Sequence, residues 1–321
     1  MTSPRGLPGA FGSALLVLAA AALFGLLVGS VPLSLPALAG GDGTARAIFA
    51  LRLPRVALAA GTGAALAVAG TALQALLKNP LADPFLLGTS GGAAAGAAVA
   101  IALGAGSVGS PIGAFVGAAL STGAVLLLAR RGGRLDLQRL LLAGVTVNAF
   151  FSAVILLLFA AATAGSSRSM LFWMMGSLAQ ARPSEAWTLA AYVAGGGGLL
   201  LACAPALNLF VVGEESAASL GAPVERTKAA VFAGAALLAA AATAFVGIVG
   251  FVGLIAPHLA RLLWGNDQRR LLPCAAAAGA ALVITADALS RVLFSPAEIP
   301  IGAVTALVGV PFFLLALRRV S

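Results

Sequence analysis

Runs of about 20 apolar residues recur from one end of this chain to the other, and no other feature constrains its fold as strongly. At a rise of 1.5 Å per residue, such a run crosses about 30 Å of hydrocarbon as one helix. The composition points the same way. The 321 residues are 61% hydrophobic and only 9% charged, whereas soluble domains are about 45–50% apolar. The expected fold is all-α and polytopic, with about ten transmembrane helices in a single domain over residues 1–321. Spans are expected near residues 11–30, 54–77, 88–103, 111–129, 140–162 and 187–207, then from 227, around 246–261, at 272–290, and from 302 to 317. The second is expected to start at Pro54, since proline suits a first helical turn. Residues 31–43 read as a Pro- and Gly-rich loop, and 166–186 as a less uniform segment with Trp173 near one boundary.

The net charge of +9 does not indicate nucleic acid. Lys and Arg stand in ones and twos between the spans, with no basic face and no interleaved aromatics. Orientation accounts for them, because cationic residues collect in cytoplasmic loops. The cluster Arg130, Arg131, Arg134 and Arg139, with Arg318 and Arg319 as a C-terminal stop, places both termini in the cytoplasm. The apolar run after Arg5 is expected to be a retained first span rather than a cleaved signal peptide. Cys203 and Cys274 lie inside apolar runs and read as small buried residues.

Chemical machinery is sparse. The chain has no Gly-x-x-x-x-Gly-Lys-Ser/Thr loop, no zinc motif and one histidine, His258, read as structural. Asp287 stands nearly alone as an intramembrane acid. It is a functional candidate by default, yet Arg291 follows at i+4 and offers a local partner. Arg52 and Arg55 flank Pro54 and are expected at the interface, either snorkelling to headgroups or forming a positive patch for an acidic partner. Thr146, Asn148 and Ser152 on the fifth span either hydrogen-bond between helices or line a path. A polar island at 213–228 concentrates Glu214, Glu215, Glu225, Arg226 and Lys228. Gly213 and Gly221 bracket it as a short surface helix, with the two glutamates at its N-terminus and Pro223 beyond its end. It is read either as a docking helix or as a solvated loop. A conduit powered from elsewhere fits this inventory. A stand-alone carrier or channel, motivated by Asp287 and the broken helices, is the alternative.

Several motifs occur together in one order: Arg52-Leu-Pro-Arg55, Gly70-Thr-Ala-Leu-Gln74, Asn79-Pro-Leu-Ala-Asp-Pro84, Leu87-Gly-Thr-Ser-Gly91, Leu141-Leu-Ala-Gly144, Trp173-Met-Met-Gly176, Gly213-Glu-Glu with Leu220-Gly221, Gly250-Phe-Val-Gly-Leu-Ile-Ala-Pro-His258, Leu271-Leu-Pro273, Ala286-Asp287 and Glu298-Ile-Pro-Ile-Gly302. In this the chain resembles the FecCD-type (type II) ABC importer permeases for iron–siderophores, haem and cobalamin. The resemblance implies a ten-span subunit of the bacterial cytoplasmic membrane, surrounded by lipid and working as a homodimer. It implies two ATPase subunits, which hold the ATP and Mg while this chain binds no cofactor, and an extracytoplasmic substrate-binding protein. Arg52, Arg55 and Arg291 match the outer-mouth arginines that meet that protein. Gly213, Glu214, Glu215, Leu220 and Gly221 match the helix that couples to the ATPase. The cytoplasmic gates correspond to Asn79, Pro80 and Leu81, and to Leu137 and Gln138, where Asp136 and Gln138 depart from small hydroxyl residues. The fifth and tenth spans, with Thr146, Asn148 and Ser152, correspond to the path lining.

Overall fold

The computed structural model describes residues 7–317. Among them the chain forms fourteen helices and one small hairpin. In order these are α1 (Leu7–Leu27), α2 (Leu35–Ala39), α3 (Gly43–Leu77), a 3-10 turn (Pro84–Leu87), α4 (Thr89–Ala102) and α5 (Gly106–Ala129). The hairpin strands β1 (Arg130–Arg131) and β2 (Arg134–Leu135) then pair antiparallel, Arg130 opposite Leu135. There follow α6 (Leu137–Ala161), α7 (Ala164–Met175), α8 (Pro183–Ala202), α9 (Ala204–Phe210) and α10 (Glu214–Ser219). The chain ends with α11 (Val224–Val246), α12 (Val252–Trp264), α13 (Gln268–Ser290) and α14 (Ile301–Leu317). The expected C-terminal stop at Arg318 and Arg319, like Arg5, lies outside the described residues.

Helix length supports six spans, α1, α3, α5, α6, α11 and α13, or seven if α8 and α9, bent by 53°, form one. The remaining expected spans coincide with the shorter apolar helices α4, α12 and α14. These are short because irregular backbone interrupts them, which a membrane tolerates only where protein covers it. Here the irregular segments serve one another. Ser177 N–H donates to the Val246 carbonyl at 2.9 Å, and Ile301 N–H donates to the Gly176 carbonyl at 3.2 Å.

Two boundaries differ from the sequence expectation. Helix α3 starts at Gly43, not at Pro54, because Asp42 caps it by accepting from Thr44 N–H at 3.0 Å. Pro54 lies inside the helix and removes one ladder bond without ending it. Arg52 and Arg55 are therefore more than two turns into α3. The 31–43 segment is not wholly loop either, since Ser34 caps α2 there.

The fold is built around α3. From Val56 to Leu76 it is mostly buried, and it packs against α8, α11, α12 and α13. Contact with α13 is as close as backbones allow, since a Cβ on Gly63 would collide with the Gly279 peptide. The same device joins α4 to α5, where a Cβ on Gly96 would strike the Gly113 carbonyl. By contrast α6 is only 28% buried along its span and leaves a row of large apolar side chains uncovered, among them Leu142, Phe150 and Leu157.

Candidate functional site: charge clusters at the two ends of α3

Arg52 and Arg55 sit near one end of α3 and Lys78 caps the other in a left-handed conformation, φ 50°. At 1.5 Å per residue the level of these arginines and that of Lys78 are roughly 35 Å apart, close to the thickness of a bilayer core. Each end carries a cluster of charged side chains tied to several helices.

At the first end, Asp287 is the hub. Arg55 Nε donates to its two carboxylate oxygens at 2.9 and 3.1 Å, and Arg55 Nη2 lies 2.9 Å from Oδ1. Arg291 Nε reaches Oδ2 at 3.2 Å, which is the i,i+4 pair the sequence anticipates. Arg55 also engages Glu298 bidentately, at 3.1 and 3.0 Å. The Asp287 side chain is 2% exposed and that of Glu298 is 41% exposed, so the pairs run from the interior to the surface.

The other two arginines turn towards α1. Its last carbonyls have no intrahelical donor and carry the negative end of the helix dipole. Arg52 Nη1 donates to Leu26 and Leu27 at 2.8 and 3.1 Å, and Nη2 donates to Val31 at 2.5 Å. Arg291 Nη2 donates to Gly25 at 2.8 Å, while its Nη1 is buried with no partner among the described residues. Both residues are under a tenth exposed. Thus the three arginines named from sequence do come together, but most of their donors are used internally.

At the second end the chain reverses through 78–88. Asn79 Oδ1 accepts from Leu81 N–H at 2.9 Å, forming a tight polar turn that holds Pro80. Asp83 caps the 3-10 turn through Phe85 N–H at 2.8 Å. Burial pushes its carboxyl up to about 6, against the lowering effect of that hydrogen bond. Gln74 holds the reversal from beneath by donating to Ala82 and Gly253 carbonyls at 3.2 and 2.9 Å while accepting from Arg261. From α6, Asn148 donates to the Phe85 carbonyl at 3.1 Å and accepts from Gly91 N–H at 3.2 Å. It is an interhelical tie. Thr146 and Ser152 hydrogen-bond only to carbonyls one turn back on their own exposed helix face.

The polar island lies at this same end, since Lys78 Nζ donates to the Val212 carbonyl at 3.2 Å. It forms the expected short helix, α10. Gly213, at φ 147°, precedes it and Gly221, at φ 85°, follows. Ala217 is buried on the inner side of α10, whereas Glu215 and Leu220 face outward. Glu214 pairs with Lys228 of α11 at 2.5 Å. The arginines of the 130–134 hairpin also gather here. Leu137 and Gln138 open α6, capped by Asp136, which accepts from Gln138 and Arg139 N–H at 3.0 and 3.1 Å. Nearby, Asn208 donates to Asp267 at 2.8 Å and holds its carboxyl below the usual range.

The chain as a whole has counterparts among known proteins. The sequence model of the FecCD transport family matches residues 15–319. The chain belongs to the FecCD transport family. It is 42% identical over 278 residues to the ABC transporter permease protein YvrB of Bacillus subtilis, covering 84% of this chain and 78% of that one. It is 42% identical over 270 residues to the cobalamin import system permease BtuC of Halobacterium salinarum, covering 84% and 72%. Against the hemin transport system permease HmuU of Yersinia pestis, identity is 41% over 278 residues, covering 84% and 82%. A solved metal-chelate type ABC transporter in an inward-facing conformation superposes with a TM-score of 0.89 at 32% identity, covering 97% and 98%. The FecCD chain is thus an ABC transporter permease that crosses the membrane several times.

Sequence reasoning missed the roles of four members of these clusters. Lys228 was grouped with the surface island but is 2% exposed. Asp136 was noted as a departure from pattern, without its role as a helix cap. Gln74 and Arg261 are 187 residues apart, and no local signal joins them.

Proposed function

We propose that this FecCD permease carries an iron chelate, haem or cobalamin into a bacterial cytoplasm across the inner membrane. It works as one permease domain in a homodimer, with two ATPase subunits that hold ATP and Mg and an extracytoplasmic binding protein that delivers the cargo. The observation that carries this reading is α10, a short acid-headed helix anchored from beneath by Ala217 and Lys228 and open outward at Glu215 and Leu220. The names of the relatives supply the range of cargo.

On this reading α10 faces the cytoplasm, as do the hairpin arginines and both termini. Gly213 to Gly221 engage the ATPase. Asn79, Pro80 and Leu81 on one side, and Leu137 and Gln138 on the other, close the inner mouth. The uncovered faces of α6 and α14, with Thr146 and Ser152, border the path between the two copies, and Asn148 supports it by tying α6 to the 85–91 turn. Arg52, Arg55 and Arg291 serve the binding protein at the outer mouth. Arg55 reaches the surface only through its pair with the exposed Glu298, while Arg52 and Arg291 shape that surface by fixing the end of α1. ATP drives alternating access by favouring one arrangement over the other by a few kcal/mol.

Asp287 disfavours the stand-alone carrier. Its carboxylate is already paired with two arginines of this chain, Arg55 and Arg291, which argues against its serving as a proton carrier. Reconstitution into proteoliposomes decides the matter. Uptake is expected only with the ATPase, ATP and the binding protein together; uptake by the permease alone, or uptake that follows a proton gradient, refutes the reading. Competition among labelled haem, a ferric siderophore and cobalamin identifies the cargo.

A further inference from the structure

Lys228 occupies an unusual place for a cation. It lies one turn into α11, 2% exposed, and its three ammonium protons meet three acceptors from three different elements. These are Glu214 Oε1 of α10 at 2.5 Å, Glu225 Oε1 of α11 at 3.3 Å and the Leu135 carbonyl of β2 at 3.1 Å. Glu225 completes the loop, because its other oxygen accepts from Leu135 N–H at 3.1 Å. Both peptide groups of Leu135 are therefore held by one ion pair on α11. The next residue, Asp136, caps α6, and its own N–H donates to the Ala129 carbonyl to close the hairpin. An unbroken chain of polar bonds thus runs from α10 through Lys228 and Leu135 to the first turn of α6.

Packing alone does not explain this arrangement. A buried ion pair is seldom more stabilising than apolar groups of the same shape, and its better-attested use is to fix register. Ala217 already anchors α10 by apolar contact. What Lys228 adds is a directional link between two elements that are otherwise distinct in sequence and do not share a helix.

We propose that Lys228 is a positioning residue that makes the first turn of α6, Leu137 and Gln138, follow the displacement of α10. This rests on the reading that α10 meets the ATPase. When α10 shifts, Glu214 draws the ammonium, the ammonium draws the Leu135 carbonyl, and Asp136 carries the α6 N-terminus with it. Glu225 keeps the strand in register during the move. Lys228 has almost no surface to offer the ATPase directly, so assembly should not depend on it.

The test uses the complete complex of permease, ATPase and binding protein in lipid nanodiscs and proteoliposomes. Lys228→Met is expected to leave the ATPase bound and hydrolysing ATP, while cargo moved per ATP falls about tenfold, as loss of a typical coupling free energy would give. A spin label at Gln138→Cys should lose its nucleotide-driven distance change across the dimer. Lys228→Arg should restore part of both signals, which a role in fold stability alone would not require. Glu225→Ala, which releases the Leu135 N–H but leaves the Lys228 links to Glu214 and to the Leu135 carbonyl, should loosen the register of the strand and weaken both signals in part, and serves as the reading if Lys228→Met fails to assemble. Wild-type coupling and an intact distance change in these variants overturn the proposal. Separately, Leu220→Cys should cross-link to the ATPase; no cross-link refutes the docking reading itself, whatever the Lys228 variants show.

Discussion

The Asp287 hub gives the most exacting quantitative test of the structure. Asp287→Ala removes the one carboxylate shared by Arg55 and Arg291 in a site where its side chain is 2% exposed. Unit charges 4 Å apart at an effective dielectric constant near 20 attract by about 4 kcal/mol, and desolvation of each ion offsets much of that. Removing one member of a buried pair generally costs about 3–5 kcal/mol, chiefly because the remaining charge is stranded. Here the stranding is incomplete. Arg55 keeps Glu298, and Arg291 keeps the Gly25 carbonyl, so the lower end of the range, about 3 kcal/mol, is expected. Glu298→Ala removes an exposed partner of the same Arg55 and should cost less than about 1 kcal/mol.

Cys274 offers a direct readout. It lies in α13, one helix with Asp287, and is fully buried, while Cys203 is only partly covered and can be changed to Ser. In nanodiscs, the equilibrium for opening α13 to a thiol reagent should rise about a hundredfold in Asp287→Ala, since each 1.36 kcal/mol is a factor of ten. Asp287→Asn, which retains an acceptor, should fall between that variant and the wild type. Equal labelling of Cys274 in Asp287→Ala and Glu298→Ala would refute the idea that burial sets the weight of these pairs.

Glycine-mediated contact predicts that Gly63→Leu and Gly96→Val, which push α3 from α13 and α4 from α5, lower the unfolding midpoint far more than Gly123→Ala, where a Cβ meets open space. Dodecyl sulfate titration of the purified chain measures this, and similar midpoints would contradict the packing. Asp83 predicts a pH dependence of defined sign. Its folded pKa, about 6, lies above the ordinary value of 3.8, so its protonated form favours folding: stability is greatest below about 4, falls as pH rises to about 6, and is flat above. Because its surface is partly open, the fall should be no more than about 3 kcal/mol. Asp83→Asn should remove that slope, and a slope of unchanged size in this variant would show that another group is responsible.

What could be read from the chain alone follows the range of the interactions. The apolar helices were visible because hydropathy is a local property. So was the pair Asp287–Arg291, four residues apart on one face, and so was α10, bracketed by Gly213 and Gly221. The start of α3 was misplaced because Pro54 is a strong local signal, whereas the capping of Thr44 by Asp42 is a quiet one. Helix α7 was missed as a helix because its sequence mixes serines and Arg168 with apolar residues. The partners of Arg55 lie 232 and 243 residues away, and nothing near Arg55 foretells that its charge would be met from within the chain. The burial of Lys228 was hidden for a related reason. Its neighbours in sequence are polar, and only the fold of the distant hairpin over α11 takes it out of water.

The distribution of restraint bears on how such a chain can switch. A molecule that alternates between two arrangements needs a part that does not deform and a part that moves as a unit, because packed interiors shift between discrete states rather than bending. Helices α3, α11 and α13 supply the first. They are between two-thirds and four-fifths buried along their spans, and α3 and α13 are locked together by backbone contact at Gly63 and Gly279. Helix α6 has the opposite character, with little of its surface covered and its firm polar ties confined to two places, Asn148 against the 85–91 turn and Asp136 beside the hairpin. An element held at one end and along one side can pivot there. On the proposed reading, the tie at Asp136 is where force from α10 enters and the tie at Asn148 is the fulcrum. Asn148→Ala should then loosen the coupling without abolishing it, whereas loss of Lys228 should remove the input altogether. The two variants should differ in the Gln138 label, with a broadened but still nucleotide-responsive distance in Asn148→Ala and an unresponsive one in Lys228→Met.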